Sequence, residues 1–256
     1  MDRLMKIKQV REKLSTGGSS IGSWMQIPHP SIAEIMGQAG YDWIAIDMEH
    51  GAISHSQLPD LFRALEIGGT LPLVRLSEGG TKECKQALDA GAGGVIVPMV
   101  ETPEQLELVR SASCWPPAGT RGVGYSRANL FGKHFEKYSI EAQSPLLIAQ
   151  IEHIKALDKL ADILQVQGLD AVMVGPYDLS ASMGLTGKFQ SVQFKNSIKF
   201  ILDSCQQWKI PAGLHIVQPE PSELIEKINE GYQFLAYSID AVFLDNYCVR
   251  PKNEGS

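Results

Sequence analysis

Eight short apolar runs alternate with helix-length amphipathic stretches along this chain, and that repeat leaves few folds open to it. The runs lie at 21–26, 43–48, 71–76, 94–98, 146–152, 171–175, 212–217 and 234–239. Each is apolar on both faces, as a strand buried between two layers of a parallel sheet must be. Helical periodicity fills 31–39, 57–67, 81–90, 103–111, 154–164, 191–208 and 221–229. Strict alternation of strand and helix favours a single (β/α)8 TIM barrel over an open doubly wound sheet. No GxGxxG follows the first run, so a dinucleotide-binding sheet loses support.

The local punctuation agrees. Thr102-Pro103-Glu104-Gln105 reads as an N-cap followed by proline at the first helical position. At Gly40, Gly91 and Gly231 a helix pattern ends and an apolar run follows directly, as a left-handed C-cap permits. An amphipathic, charged helix at about 2–14 is placed to cap the bottom of a barrel. One long irregular stretch, about 113–141, reads as a lid or an interface element. One domain over 1–256 is expected, since 256 residues at 44% hydrophobic match the size of a single barrel.

The formal charge of −6 argues against a nucleic acid or an anionic membrane as partner. No apolar run approaches the roughly 20 residues that span a bilayer, and no signal-peptide core is present at the start. The four cysteines are scattered without a CxxC pair, which points to free thiols in a reducing, cytoplasmic setting.

In such barrels the active site lies at the C-terminal ends of the strands, and polar residues gather there. The fifth run ends Gln150-Ile151-Glu152 and the sixth Gly175-Pro176-Tyr177-Asp178. Parallel neighbours place these ends about 5 Å apart, so Glu152 and Asp178 converge, and two carboxylates repel unless a proton or cation lies between them. The set is oxygen-only, with no HxH or HExxH spacing, which suits Mg²⁺ or Mn²⁺ rather than zinc. Such an ion chelates a 2-oxo acid and acts as a Lewis acid on its carbonyl. No run carries an interior lysine for a Schiff base. His50 follows the second run with Asp47 and Glu49 close by, either of which would orient its imidazole as a general base. Arg75 ends the third run, placed to stabilise an enolate or alkoxide. Gly175 to Ser180 presents backbone N–H groups at a helix start, a cradle for a carboxylate.

These residues carry a resemblance. Gly22-Ser23-Trp24, Ile46-Asp47-Met48-Glu49-His50, Val74-Arg75, Val97-Pro98-Met99-Val100, Arg121-Gly122-Val123-Gly124, Gln150-Ile151-Glu152 and Gly175-Pro176-Tyr177-Asp178-Leu179-Ser180 resemble the HpcH/HpaI family of class II pyruvate aldolases, over about 22–240. The resemblance implies a (β/α)8 barrel, often hexameric, that cleaves 4-hydroxy-2-oxo acids to pyruvate and an aldehyde with Mg²⁺, Mn²⁺ or Co²⁺. It implies Glu152 and Asp178 as metal ligands, His50 as general base and Arg75 as transition-state stabiliser. It implies Asp89 and Asp47 as carboxylates acting on that histidine. Gln150, Tyr177 with Gly175 and Pro176, Trp24 and the Leu214-His215 pair are implied at the substrate. His215 departs from the family, which usually has an apolar residue there, and Tyr237-Ser238 stand where smaller residues are usual. A polar or acidic aldehyde partner, and not a long-chain one, is the consequence.

Two rivals stay open. One is decarboxylation of a 2-oxo diacid such as oxaloacetate through the same enolate; the other is a non-catalytic 2-oxo-acid-binding protein. A coenzyme A-dependent relative is disfavoured, because no basic patch offers itself to the nucleotide.

Overall fold

A computed structural model describes residues 1–250 of the chain. The domain expected over 1–256 thus extends past it, and 251–256 lie outside the described residues. In order, the elements are α1 (Arg3–Ser15), β1 (Ser20–Met25), α2 (Pro30–Gly37), β2 (Trp43–Asp47), α3 (Leu58–Ile67), β3 (Leu71–Arg75), α4 (Thr81–Ala90) and β4 (Gly94–Val97). There follow α5 (Pro103–Ser113), α6 (Phe135–Glu141), β5 (Leu146–Ile151), α7 (Lys155–Asp158), α8 (Leu160–Ile163), β6 (Ala171–Val174) and α9 (Pro176–Ser182). The chain finishes with α10 (Val192–Trp208), β7 (Ala212–Ile216), α11 (Pro221–Asn229), β8 (Phe234–Ile239) and α12 (Asp240–Tyr247). All eight strands are parallel, each pairs with the next in sequence, and β8 closes on β1. This is a (β/α)8 barrel.

Each expected run is a strand, displaced by at most one residue at either end. Most runs overshoot at the C-terminal end, where Met48, Leu76, Glu152 and Gly175 lie one residue past their strands. Alternation along the strands divides the core into two shells. Inward residues, among them Trp43, Leu73, Ile148, Met173 and Phe234, fill the barrel, and Trp43 stacks on Phe234 at 4.3 Å. Ile7, Val10 and Leu14 of α1 join that cluster, so the N-terminal helix plugs the bottom as its amphipathic pattern required. Outward residues such as Ile44, Val95, Val172 and Leu214 pack beneath the helices. Gly40, Gly91 and Gly231 all take positive φ, as expected of left-handed caps.

Two expectations need correction. The stretch 154–164 is not one helix: Lys159, at φ −114° and ψ 7°, breaks it into α7 and α8, with Ala156, Leu160 and Ile163 all still buried. The stretch 113–141 is not wholly irregular. Arg127–Asn129 forms a 3₁₀ turn and Phe135–Glu141 is helical, because Trp115, Ala128, Tyr138 and Ala142 build a small core of their own. The cysteines are free thiols, with Cys84, Cys114 and Cys205 buried. Among the described residues no helix is long and apolar enough to cross a membrane.

Beneath the plug lies a charged belt. Arg3 reaches Glu141 at 2.8 Å and Glu66 at 3.3 Å, Arg127 meets Glu66 at 2.8 Å, and Arg121 meets Asp89 at 3.2 Å.

Candidate active site

The ends of β1, β2, β3, β5, β6 and β7 bring Trp24, Asp47, Arg75, Gln150, Glu152, Asp178 and His215 to the barrel mouth. Glu152, one residue past β5, is only 1% exposed. Its Oε1 accepts the Met99 N–H at 2.7 Å and its Oε2 accepts from Gln150 Nε2 at 2.6 Å. Met99 takes a φ of 50°, in the left-handed region, and from there its N–H reaches the carboxylate. Across the mouth, Gly175 ends β6 against the same group. A Cβ there would lie 2.4 Å from Glu152 Oε2 and 2.7 Å from Glu152 Cβ, so only glycine fits.

Burial pushes the Glu152 carboxyl up to about 7, the charges of Glu49 and Asp178 add to the rise, and the Met99 N–H and Arg75 oppose it. Asp178 therefore lies within electrostatic reach of Glu152, from the first turn of α9, where it is exposed to the mouth. Gln150 is turned so that its amide N–H serves Glu152, which leaves its buried Oε1 without a protein partner. Among the described residues no lysine or arginine hydrogen-bonds to Glu152.

This donor set fits a divalent cation. Hard carboxylate oxygens follow two adjacent strands within electrostatic reach of each other, one of them desolvated enough to hold a proton near neutrality. A positive ion would restore its charge. Among the described residues no three His, Cys, Asp or Glu side chains form a ready-made cage. Two carboxylates would leave the remaining positions of an octahedral ion to water and substrate.

Beside this pair Arg75 is held on three sides. Its Nε and Nη2 donate to Asp47 Oδ1 and Oδ2 at 2.9 and 2.7 Å, a bidentate pair buried in the mouth. Its Nη1 lies 2.9 Å from Glu49 Oε2, close but off the line of a directed hydrogen bond, so that contact is Coulombic. Its guanidinium carbon lies 5.1 Å from the Trp24 ring centroid. Burial alone would raise the Asp47 carboxyl, but Arg75 and the Gln26 amide at 2.8 Å outweigh it and hold the group below its ordinary value. Glu49 goes the other way, raised by burial and by Asp47 and Asp178 against the pull of Arg75.

His50 stands exposed at the rim, its backbone N–H bonded to Asp47 Oδ1 at 3.2 Å. Neither Asp47 nor Glu49 orients its imidazole as the sequence reading expected, because both carboxylates are committed to the stronger guanidinium contact. Asp89 does not join the site within this chain. It sits at the C-terminal end of α4, hence at the bottom of the barrel, and pairs with Arg121. Leu214 also points away, into the sheet–helix shell, whereas its neighbour His215 faces inward and stacks on Trp24. Tyr177 is exposed and meets Phe189 edge-on, with its N–H in the first turn of α9. A cleft of about 1470 Å³ runs down the flank along α10 and α11, and only its upper end touches Pro176, Tyr177 and His215. Asp47, Arg75, Glu152 and Asp178 all lie outside that cleft.

Sequence reasoning missed Gln26 as a partner of Asp47; Asp240, at the tip of the eighth strand, accepts the Gln26 and Ile27 N–H groups at 2.9 and 2.8 Å. Asp240 ends an apolar run just before a helix, which was a usable signal. Gln26 offered none.

Residues 20–246 match the family model described as HpcH/HpaI aldolase/citrate lyase. The chain is 36% identical over 240 residues to the hydroxypyruvate/pyruvate aldolase of Roseobacter denitrificans, covering 92% of each. It is 35% identical over 235 residues to the 2-keto-3-deoxy-L-rhamnonate aldolase of Escherichia coli K12, covering 91% of this chain and 87% of that one. Among solved structures, an HpcH/HpaI aldolase/citrate lyase family protein from Burkholderia cenocepacia superposes with a TM-score of 0.87 at 28% identity, over 94% of this chain and 96% of the other.

Proposed function

The chain belongs to the HpcH/HpaI aldolase/citrate lyase family and is an aldolase, and from that premise we propose how its residues divide the work. The reaction is cleavage of a 4-hydroxy-2-oxo acid to pyruvate and an aldehyde, with the aldol addition as its reverse. Glu152 and Asp178 hold the divalent metal, Mg²⁺ or Mn²⁺ by the hardness of the donors, with Co²⁺ admitted by the resemblance. When bound, that ion supplies Lewis acidity at the keto oxygen.

The remaining steps belong to side chains. His50 at the rim accepts the proton of the C4 hydroxyl as the C3–C4 bond breaks and the aldehyde departs. The electron pair of that bond moves towards the 2-oxo group as an enolate, and the guanidinium of Arg75 stabilises its negative charge. A proton returned to C3 gives pyruvate. Asp47, Glu49 and the Trp24 face fix Arg75 for this role. Gln150 and the first-turn N–H of Tyr177, set by Gly175 and Pro176, orient the 2-oxo acid. Asp89 is distant from His50 within one chain, so its role at that histidine requires a second subunit.

The observation that carries this reading is Glu152: buried, shared between two donors, and raised to about 7 beside Asp178. Pyruvate release from 4-hydroxy-2-oxo acids should require added Mn²⁺, stop on chelation and fall about a thousandfold or more in E152Q. Full activity in that variant would remove the model. A homo-oligomer, a hexamer by resemblance, accords with the exposed Tyr125 and Phe131 on the 113–141 stretch, and light scattering decides it. The three buried free thiols accord with a cytoplasmic setting.

A further inference from the structure

One wall of the mouth is not what an apolar aldehyde would ask for. The His215 ring stacks on Trp24 with centroids 4.8 Å apart and planes 26° from parallel. Behind it β8 is bulged: its register with β1 shifts between Gly22 and Trp24, and Ser238 sits at a φ of 59° in the left-handed region. Ser238 is tied down by its hydroxyl, which donates to the Val217 carbonyl at 3.0 Å. In that conformation the Ser238 carbonyl lies 3.1 Å from His215 Nε2.

A carbonyl only accepts, so Nε2 carries the proton. Burial lowers the ring's pKa to about 4, with Arg75 adding to the fall, so the imidazole is neutral at pH 7. Nδ1 is then a lone-pair acceptor. It has no hydrogen-bond partner among the described residues, on a ring that is partly exposed. Trp24 joins this wall to the guanidinium of Arg75, so the wall adjoins the group that the proposed reaction sets against the enolate charge.

We infer that His215 Nδ1 accepts a hydrogen bond from a hydroxyl of the aldehyde half of the substrate, making this aldolase selective for hydroxyaldehydes. The inference rests on the aldol reading above and names the substrate class for it. An alkyl chain would leave the lone pair desolvated and unmet, and a carboxylate would set a second acceptor against it. Only a donor satisfies it, and the Trp24 face beside it covers the carbon skeleton. His215 is thus a specificity residue and not the base.

The test is pyruvate addition with Mn²⁺ to glycolaldehyde, to acetaldehyde, which lacks the hydroxyl, and to glyoxylate, which carries a carboxylate. The intrinsic reactivity of each aldehyde cancels when the ratio of kcat/KM values is compared between wild type and variant. The glycolaldehyde-to-acetaldehyde ratio should fall about tenfold in H215L, chiefly through glycolaldehyde, while the glyoxylate-to-acetaldehyde ratio rises or stays. H215N, whose amide oxygen accepts, should regain part of the preference. An unchanged glycolaldehyde-to-acetaldehyde ratio in H215L overturns the inference. If wild type adds pyruvate to none of the three, the aldol reading fails instead. Nitrogen-15 NMR of His215 in the wild-type protein decides the inference even where H215L does not fold. A neutral ring protonated at Nε2 at pH 7 is expected, and a charged ring or an Nδ1-protonated one overturns it.

Discussion

At the bottom of the barrel three guanidiniums, Arg3, Arg121 and Arg127, meet three carboxylates, Glu66, Asp89 and Glu141. At the mouth four carboxylates, Asp47, Glu49, Glu152 and Asp178, face one, Arg75. Both clusters are largely buried and both sit at strand or helix ends, so burial alone does not separate them. Balance does. The lower cluster is neutral in sum and holds the N-terminal plug against α3 and the 113–141 stretch. The upper one carries an excess of negative charge that the fold itself does not answer. A structural cluster closes on itself, whereas a working one is finished by what it binds.

That contrast breaks if changes at the mouth and at the bottom do the same thing. After E152Q, the largest effect is expected from R75K, which keeps the charge but loses the fork to Asp47. Pyruvate release should fall about a hundredfold or more with the thermal midpoint little moved. Next is G175A, where the added methyl collides with Glu152. Its Mn²⁺ affinity should drop about tenfold or more, read by calorimetry, with the far-ultraviolet circular dichroism unchanged.

The pH dependence of stability sharpens the contrast further. Glu152 has a folded pKa raised from its ordinary 4.5 to about 7, so its contribution to stability is full below 4.5 and is lost as pH rises through 7. Urea unfolding of metal-free protein should therefore show a loss approaching about 3 kcal/mol between these values, restored by Mn²⁺. Asp47, held low, has the opposite sign and matters only in more acid solution. At the bottom, R3A strands Glu141 in a buried site. It should cost about 2 kcal/mol of stability, with kcat per folded molecule unchanged.

Much of this was legible in the sequence. The eight strands could be read because apolar runs of strand length, cut by Gly caps and helix patterns, have only one common closed solution. The placement of Glu152 and Arg75 at the mouth could be read because a carboxylate and a guanidinium ending apolar strands have no surface to retreat to. Asp89 lies at the bottom of its own barrel, and topology already held that placement: a helix that precedes a strand ends there. Leu214 was a failure of alternation, since an inward His215 forces its neighbour outward. The left-handed residues Met99 and Ser238 were not readable, because neither is glycine and their conformations are imposed by the groups they serve. Glu49 was placed beside His50 by sequence distance, but Arg75, remote in sequence, is what it contacts.

The account stands most directly on Mn²⁺ titration of the wild-type chain, E152Q and D178N between pH 6 and 8. It predicts one ion per chain in the wild type, with affinity rising across that range as Glu152 gives up its proton, and near-complete loss in both variants. Wild-type affinity retained in either variant would contradict it.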